Sequence, residues 1–380
     1  MPSDLGAWSY EIADTKLAVE TRATTVLQLC MYSEMVGKLQ GLAPKYMHVV
    51  KPGTPFECES LRIADYSAYY RFAKQRFLQH VNYSDDRSIY PEPCSHCEIC
   101  NWWPKCDKTW RDDDHLTFVA GMPKSQIVEL GEFGIETLEA FANSPTAHPS
   151  RPQRGAIESF EKSQRQAKIQ LKGRVSGQPE YEFNAIESGK GFFLLPEPSE
   201  GDVFFDIEGN PRAGGEGLEY LFGVVTIDEN SPAFSGKWSL NAKDEKIQFQ
   251  QFVDSMIDRW ERFPSMHIYH FAPYEPSALK RLALRHATRE DELDRLIRSE
   301  RFVDLYAVTR QAIRASVESY SIKQLEQFYG FERIEELDSA RTSLREVERL
   351  IELGLTHELT PQHREVVELY NKDDCLSPTT

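Results

Sequence analysis

The chain has 380 residues, of which 40% are apolar, 11% aromatic and 27% charged, the balance of a folded protein with room for two or three domains and not of a disordered or fibrous one. Its formal net charge of −16 excludes coating of nucleic acid by bulk attraction and leaves such contact to a local basic surface or an acid-lined metal site. The start, Met1-Pro-Ser-Asp-Leu-Gly6, has neither a basic nor an apolar leader, and no run is long enough to span a bilayer, so the default expectation is a cytoplasmic protein with no membrane partner. Of the seven cysteines, four crowd one short segment, which in a reducing compartment points to metal ligation and not to disulfides.

Trp8 to Lys16 reads as a strand with Asp14 and Lys16 on one face. Ala23 to Leu39 reads as an amphipathic helix on which Gln28 and Tyr32, four apart, are surface neighbours. An Asp-x-Lys pair alone is an ordinary exposed ion pair. Together the four residues resemble the RecB-like branch of the PD-(D/E)xK nucleases, in which an Asp-x-Lys strand precedes a Gln-x-x-x-Tyr helix. The resemblance implies that Asp14 binds metal, that Lys16 orients or polarises the attacking water, and that Gln28 and Tyr32 hold substrate or the site. That family adds a further metal-binding acid and a helix upstream, which this sequence lacks, so the expectation is a fragment without activity at this site. Tyr46–Val50 and Glu59–Ile63 read as strands around a turn at Lys51–Pro55, and Asp65 to Val81 as a helix whose aromatic residues serve a core.

Cys94, Cys97, Cys100 and Cys106 are close enough in sequence for one tetrahedral or cuboidal metal site. Zinc accepts the same ligands, with His96 able to replace Cys94. The Cys-x2-Cys-x5-Cys spacing of Cys97, Cys100 and Cys106 resembles RecB-like nucleases of the iron-staple type, which implies a [4Fe–4S] cluster, with Cys94 either its fourth ligand or incidental. From Leu116 to Phe141 two short helices join through Gly134, with Ile135 tucking back into the core. This pair resembles a helix-hairpin-helix element, which implies grip on nucleic-acid backbone through hairpin amides; a plain helical spacer is the other reading. Ser144–Pro152 is a linker by composition. Gly155 to Lys172 reads as a helix in the most basic part of the chain, where Arg151, Arg154, Lys162, Arg165, Lys168, Lys172 and Arg174 face only Glu158 and Glu161. It is either a phosphate-tracking face or a solvated helix.

The run Asp202-Val-Phe-Phe-Asp-Ile-Glu-Gly-Asn-Pro211 puts two acids, Asp206 and Glu208, on one face of a strand whose other residues call for burial. Such a pair is costly unless a cation neutralises it or both acids reach water at a strand end. Leu218–Ile227 and Lys237–Leu240 continue an antiparallel meander, Lys246–Phe263 is a helix, and Met266–Phe271 is a fourth strand. Helices follow at Pro276–His286, Glu290–Arg298, Leu305–Ala315 and Ile322–Tyr329. Glu275 opens the helix after the fourth strand, and Tyr370 and Asp374 share a face of a late helix. This order resembles a ribonuclease H-like domain of the DnaQ-like DEDD exonuclease superfamily, in its Tyr-bearing branch, and most closely the YprB-like domains.

The resemblance implies two-metal phosphodiester hydrolysis with Mg²⁺ or Mn²⁺ ions roughly 4 Å apart. Asp206, Glu208 and Asp374 would hold the ions, Glu275 would bind the second one directly or through water, and Tyr370 would orient the attacking water. Asp373 competes with Asp374 for its role, and Asp304 reads as a helix cap. The whole arrangement resembles bacterial RecB-like nucleases that continue into a helicase. The expected fold is therefore α/β: residues 1–110 as the C-terminal part of a RecB-like PD-(D/E)xK domain with its cysteine cluster, 111–145 as a helix-hairpin-helix-like element, 146–198 as linker and basic helix, and 199–380 as a mixed-sheet ribonuclease H-like domain. The function implied is a 3′–5′ exonuclease acting on DNA or RNA, with a helicase module as a further partner. The alternative is a non-catalytic nucleic-acid-binding scaffold with a structural cysteine–metal staple.

Overall fold

The computed structural model describes residues 1–16, 20–51, 56–82, 90–94, 96–97, 100–228 and 231–380. The chain divides into Met1–Tyr90 and Pro91–Thr380. In the first unit, β1 (Ile12–Thr15), α1 (Ala23–Gln40), β2 (Tyr46–Lys51), β3 (Glu57–Arg62) and α2 (Ile63–Asn82) form a three-stranded sheet of order β1-β2-β3 with two helices. β1 runs parallel to β2, and β3 antiparallel to it. Alternation along β2 turns Met47 and Val49 inward against Val26, Leu29 and Cys30 of α1. Beyond Lys51, the expected turn lies outside the described residues.

The second unit contains the cysteine segment, so the division falls at residue 90 and not at the expected 110. There α3 (Trp103–Asp112) is followed by α4 (Lys124–Gly131), α5 (Leu138–Asn143) and α6 (Ile157–Ser176), and the last three pack around Leu116, Leu130, Leu138, Phe141, Phe160 and Ala167. The exit from α4 follows the expected capping chemistry: Gly134 has φ +75°, and the Ile135 amide donates to the Leu130 carbonyl at 3.1 Å.

A five-stranded mixed sheet follows. The elements of this stretch are β4 (Tyr181–Phe183), which lies outside the sheet, then β5 (Val203–Asn210), β6 (Leu218–Asp228), β7 (Ser231–Trp238), α7 (Ala242–Arg262), β8 (Ile268–His270), α8 (Tyr274–His286), α9 (Glu290–Arg298) and β9 (Phe302–Asp304). The order is β7-β6-β5-β8-β9, with an antiparallel meander on one side of β5 and parallel β8 and β9 on the other. Val203, Phe205 and Ile207 turn into a core with Phe249, Phe252 and Val253 of α7, Leu279 of α8 and Leu296 of α9. The opposite face of β5 carries Phe204, Asp206 and Glu208.

The remaining elements are α10 (Leu305–Ala312), β10 (Ile313–Ala315), α11 (Ile322–Leu325), α12 (Leu337–Glu352) and α13 (Pro361–Leu376). The single helix expected over Leu305–Ala315 is corrected here, because β10 pairs antiparallel with β4 and the backbone leaves the helix at Ile313. The third strand of the meander likewise lies earlier than expected, and α12 was not anticipated. Tyr220 and Leu221 of β6 pack against Val347 and Ile351 of α12 and Val367 of α13, which covers the second face of the sheet. Among the described residues no helix is long and apolar enough to cross a membrane.

Gly223 of β6 is directly opposite Asp206 in register, and a Cβ there would collide with the buried Asn371 carboxamide of α13. Gly223→Ala should therefore destabilise this unit by about 1–3 kcal/mol, as overpacking does, measured by urea unfolding. Wild-type stability would show that α13 is not docked at this point.

Candidate metal centre

The opening strand and the last helix meet at three carboxylates. Asp206 and Glu208 project from one face of β5, and Asp374 from α13 packed over it; one oxygen from each lies within 4.8 Å of the other two. Among the described residues no other set of three His, Cys, Asp or Glu side chains converges in this way. Asp373, the competing acid, is fully buried and accepts the Ile334 and Glu335 amides at 2.9 and 3.1 Å, so it anchors the loop before α12 instead.

Bringing these charges together perturbs them strongly. Burial, then Glu208, Asp374 and Glu275, push the Asp206 carboxyl well above the usual carboxylate range. Burial and then Asp374 push Glu208 up to about 8. Asn371 holds Asp206 in place, its Nδ2 donating to Asp206 Oδ2 at 2.7 Å. Asp374 is bracketed by two cations: Lys323 Nζ is 2.5 Å from Oδ2 and Arg333 Nη2 is 2.6 Å from Oδ1. Arg333 also pairs with Glu326 at 2.6 Å. Burial opposes the Lys323 charge, yet Asp374 and Tyr370 hold its ammonium above the usual lysine value.

Tyr370 is one turn before Asp374, with Lys323 Nζ 4.9 Å from its ring centre. Burial and the Asp374 charge raise its phenol to about 12, so it is a hydrogen-bond donor at neutral pH and not a base. Glu275 lies in the first turn of α8, 3% exposed, with its Oε2 lacking a hydrogen-bond partner and 3.4 Å from His270 Nδ1. Its charge reaches Asp206, but it is not one of the three converging acids. The approach to Glu275 is fixed by an unusual backbone: Ala272 has φ +79°, its amide donates to Asp304 Oδ1 at 3.0 Å, and its carbonyl accepts from His270 Nδ1 at 2.6 Å. Asp304 also accepts the Tyr306 and Ala307 amides, the capping role expected of it. Beside the carboxylates opens a cavity of about 370 Å³ lined by Asp206, Asp374, Lys323, Tyr306 and Tyr320.

Residues 203–380 match the family model RNase_H_2, of the RNase_H superfamily. No curated protein and no solved structure matches the chain. The C-terminal domain is ribonuclease H-like, of a superfamily whose members are generally nucleases and typically use Mg²⁺ or Mn²⁺. The residues here suit such an ion: three converging carboxylates provide hard oxygen ligands, and the buried Glu275 Oε2 lacks a hydrogen-bond partner.

The other expected sites fare differently. In the first unit Lys16 Nζ is 2.8 Å from Asp14 Oδ2 and 2.9 Å from Gln28 Oε1, and Gln28 Nε2 donates to the Tyr32 hydroxyl at 2.8 Å, so all four residues join in one chain. The four cysteines do not bring three sulfurs within 4.8 Å of one another; Cys94 and Cys97 approach to 3.8 Å. Lys323, Arg333 and Asn371 went unnoticed in the sequence, although Asn371 and Asp374 share a helix with spacing i and i+3.

Above pH 4.5 the unfolded Glu208 is ionised, whereas the folded one keeps its proton to about 8. The folded state then binds more protons, so the metal-free domain should lose stability, on the order of a few kcal/mol, as pH rises through that window. Thermal unfolding in EDTA from about pH 5 to about pH 8 should show this fall, and Asp206→Asn, which removes a second carboxyl that the fold and the Glu208 charge hold protonated, should flatten it. A profile unchanged by Asp206→Asn would contradict the electrostatic coupling.

Proposed function

We propose that the ribonuclease H-like domain is a metal-dependent 3′–5′ exonuclease acting on DNA or RNA. The observation that carries this reading is the convergence of Asp206, Glu208 and Asp374 within a segment that matches the RNase_H superfamily. Asp206, Glu208 and Asp374 would hold divalent cations, and Glu275, with an oxygen that has no hydrogen-bond partner, would complete the set. The ions would supply an activated water and stabilisation of the leaving oxygen. Tyr370, protonated across the neutral range, would donate a hydrogen bond that orients the attacking water. Lys323, on the cavity wall, would meet a phosphate oxygen of the substrate.

A second reading is a non-catalytic nucleic-acid-binding module, favoured by one observation: both Asp374 oxygens are already held by Lys323 and Arg333. The two readings separate in a hydrolysis assay on end-labelled DNA and RNA with Mn²⁺. The nuclease reading expects 3′-end shortening that stops on metal omission. It also expects Asp206→Ala to lower the rate more than about 100-fold, as loss of several kcal/mol of charge stabilisation requires. Undiminished hydrolysis in Asp206→Ala would remove this site as the source of activity, and absence of hydrolysis in the wild type would favour the binding module.

The linked Asp14, Lys16, Gln28 and Tyr32 support a RecB-like origin for the first unit, to which no hydrolysis is assigned. The cysteine segment is proposed as a structural metal staple. Tetrahedral Zn–S bonds of about 2.3 Å put sulfurs about 3.8 Å apart, the separation that Cys94 and Cys97 have, while a [4Fe–4S] cluster would need the thiols spread more widely. An iron and zinc assay of the purified chain should find one or the other bound, and finding neither would end the proposal.

A further inference from the structure

The basic helix seen in the sequence divides into two halves of different fate. At its C-terminal end Lys172 pairs with Glu180 at 2.7 Å and Arg174 pairs with Asp114. Nearer its N-terminus, exposed Lys162 and Arg165 instead line a groove of about 910 Å³ together with Arg310, Arg314, Phe192 and Phe193. Among the described residues neither Lys162 nor Arg310 has a carboxylate partner, while Arg314 pairs with Glu182 and Arg165 approaches Glu161 to 4.0 Å. The rim carboxylate Glu187 is engaged by Lys190 at 2.6 Å, and Glu158 is the other acid of the lining. Partial burial, then Arg310 and Arg314, hold the Lys162 ammonium below the usual lysine value.

Aromatic rings extend this surface. Phe192 and Phe193 are 53% and 60% exposed, and Phe192 meets Phe183 edge-on at 5.9 Å, itself 5.7 Å from Tyr181. The segment that carries the two phenylalanines is fastened to the end of α10. The Gly191 amide donates to Gln311 Oε1 at 3.0 Å, and the Asn184 amide to the Ala312 carbonyl at 2.8 Å. Gly191, at φ +59°, abuts Ala312 so closely that a side chain there would crowd it. One helix, α10, borders both the groove and the carboxylate cavity. Tyr306 and Tyr320 line that cavity, Arg310 is one turn after Tyr306 on α10, about 6 Å along the axis, and its guanidinium lies 4.4 Å from the centre of the Tyr320 ring.

Four clustered cations on a chain of charge −16, two of them without a carboxylate partner among the described residues and set beside exposed rings, fit a polyanion that carries flat apolar faces. We propose that this groove binds single-stranded nucleic acid, with Lys162, Arg165, Arg310 and Arg314 on its phosphates and Phe192 and Phe193 against its bases, and leads the strand toward the carboxylate site. A duplex, whose bases are stacked inside, offers no face to the phenylalanines. Only the destination of the strand rests on the nuclease reading; the groove itself does not.

The test is fluorescence anisotropy of labelled oligo-dT, oligo-U and a duplex of equal length with the full chain in EDTA, where hydrolysis plays no part. The double variant Lys162→Glu, Arg165→Glu should weaken single-strand binding at least about tenfold and reduce the slope of log affinity against log salt by about 1.4, two phosphate contacts at about 0.7 each. Phe192→Ala with Phe193→Ala should weaken binding roughly tenfold with the salt slope kept, since stacking is lost and charge is not. All four positions are exposed, and matching thermal unfolding would certify each fold. Wild-type affinity in both double variants, or a duplex bound as tightly as the single strands, would overturn the proposal. Loss of hydrolysis in Asp206→Ala with strand binding kept supports both readings. Binding by the wild type without hydrolysis removes the nuclease reading alone.

Discussion

Mutual repulsion of carboxylates is the constraint around which the C-terminal domain is arranged. Two unit charges about 4 Å apart repel by roughly 4 kcal/mol at an effective dielectric of about 20, and Asp206, Glu208 and Asp374 meet in trio. The fold distributes this cost among protons on Asp206 and Glu208, the cations Lys323 and Arg333 on Asp374, and the Asn371 amide on Asp206. Each of these partners is one that a divalent cation would displace or complement. Stability and reactivity are thus set by the same few groups.

The scaffold that enforces the meeting is built from ordinary parts. On β5 the period of two separates Val203, Phe205 and Ile207, which anchor the strand in the core, from Asp206 and Glu208 on the opposite face. The register with β6 slips between Glu208 and Gly209, so the ladder is broken just past the second acid. Gly223 leaves room for Asn371, which lets α13 approach the strand closely enough for Asp374 to reach it. A capping box between Thr360 and His363, with Pro361 in the first turn, starts α13 in the right place. Together these place an acid from the chain's end over a strand formed more than a hundred residues earlier.

Much of this was legible in the sequence, and what was not has a physical cause. An acid pair within an apolar run stands out because burial forbids it without compensation, and the meander followed by helices orders the sheet. The choice between Asp373 and Asp374 was not legible, since adjacent residues of a helix point about 100° apart and only the docking angle decides which faces the strand. Lys323 and Arg333 were missed because their importance comes from tertiary meeting alone; in the sequence they are two cations among 44. The reverse error, reading β10 as the end of a helix, arose because its partner β4 is more than a hundred residues upstream and only pairing overrides local helix preference. The helix α12 does carry a sequence signal, since Ala340, Leu344, Val347 and Ile351 follow a helical stripe.

The basic stretch shows the same limit from the other direction. Composition marks seven cations and cannot say which are satisfied internally; the fold pairs Lys172 and Arg174 and turns Lys162 and Arg165 toward a groove. The central claim, that the carboxylate trio is a divalent-metal site, is tested most directly by titrating Mn²⁺ into the metal-free chain and following the free ion by electron paramagnetic resonance. The account predicts that the wild type depletes the free-ion signal and that Glu208→Gln does so at least about tenfold more weakly, as loss of one charged ligand requires. Equal depletion by the two proteins, or none by the wild type, would contradict it.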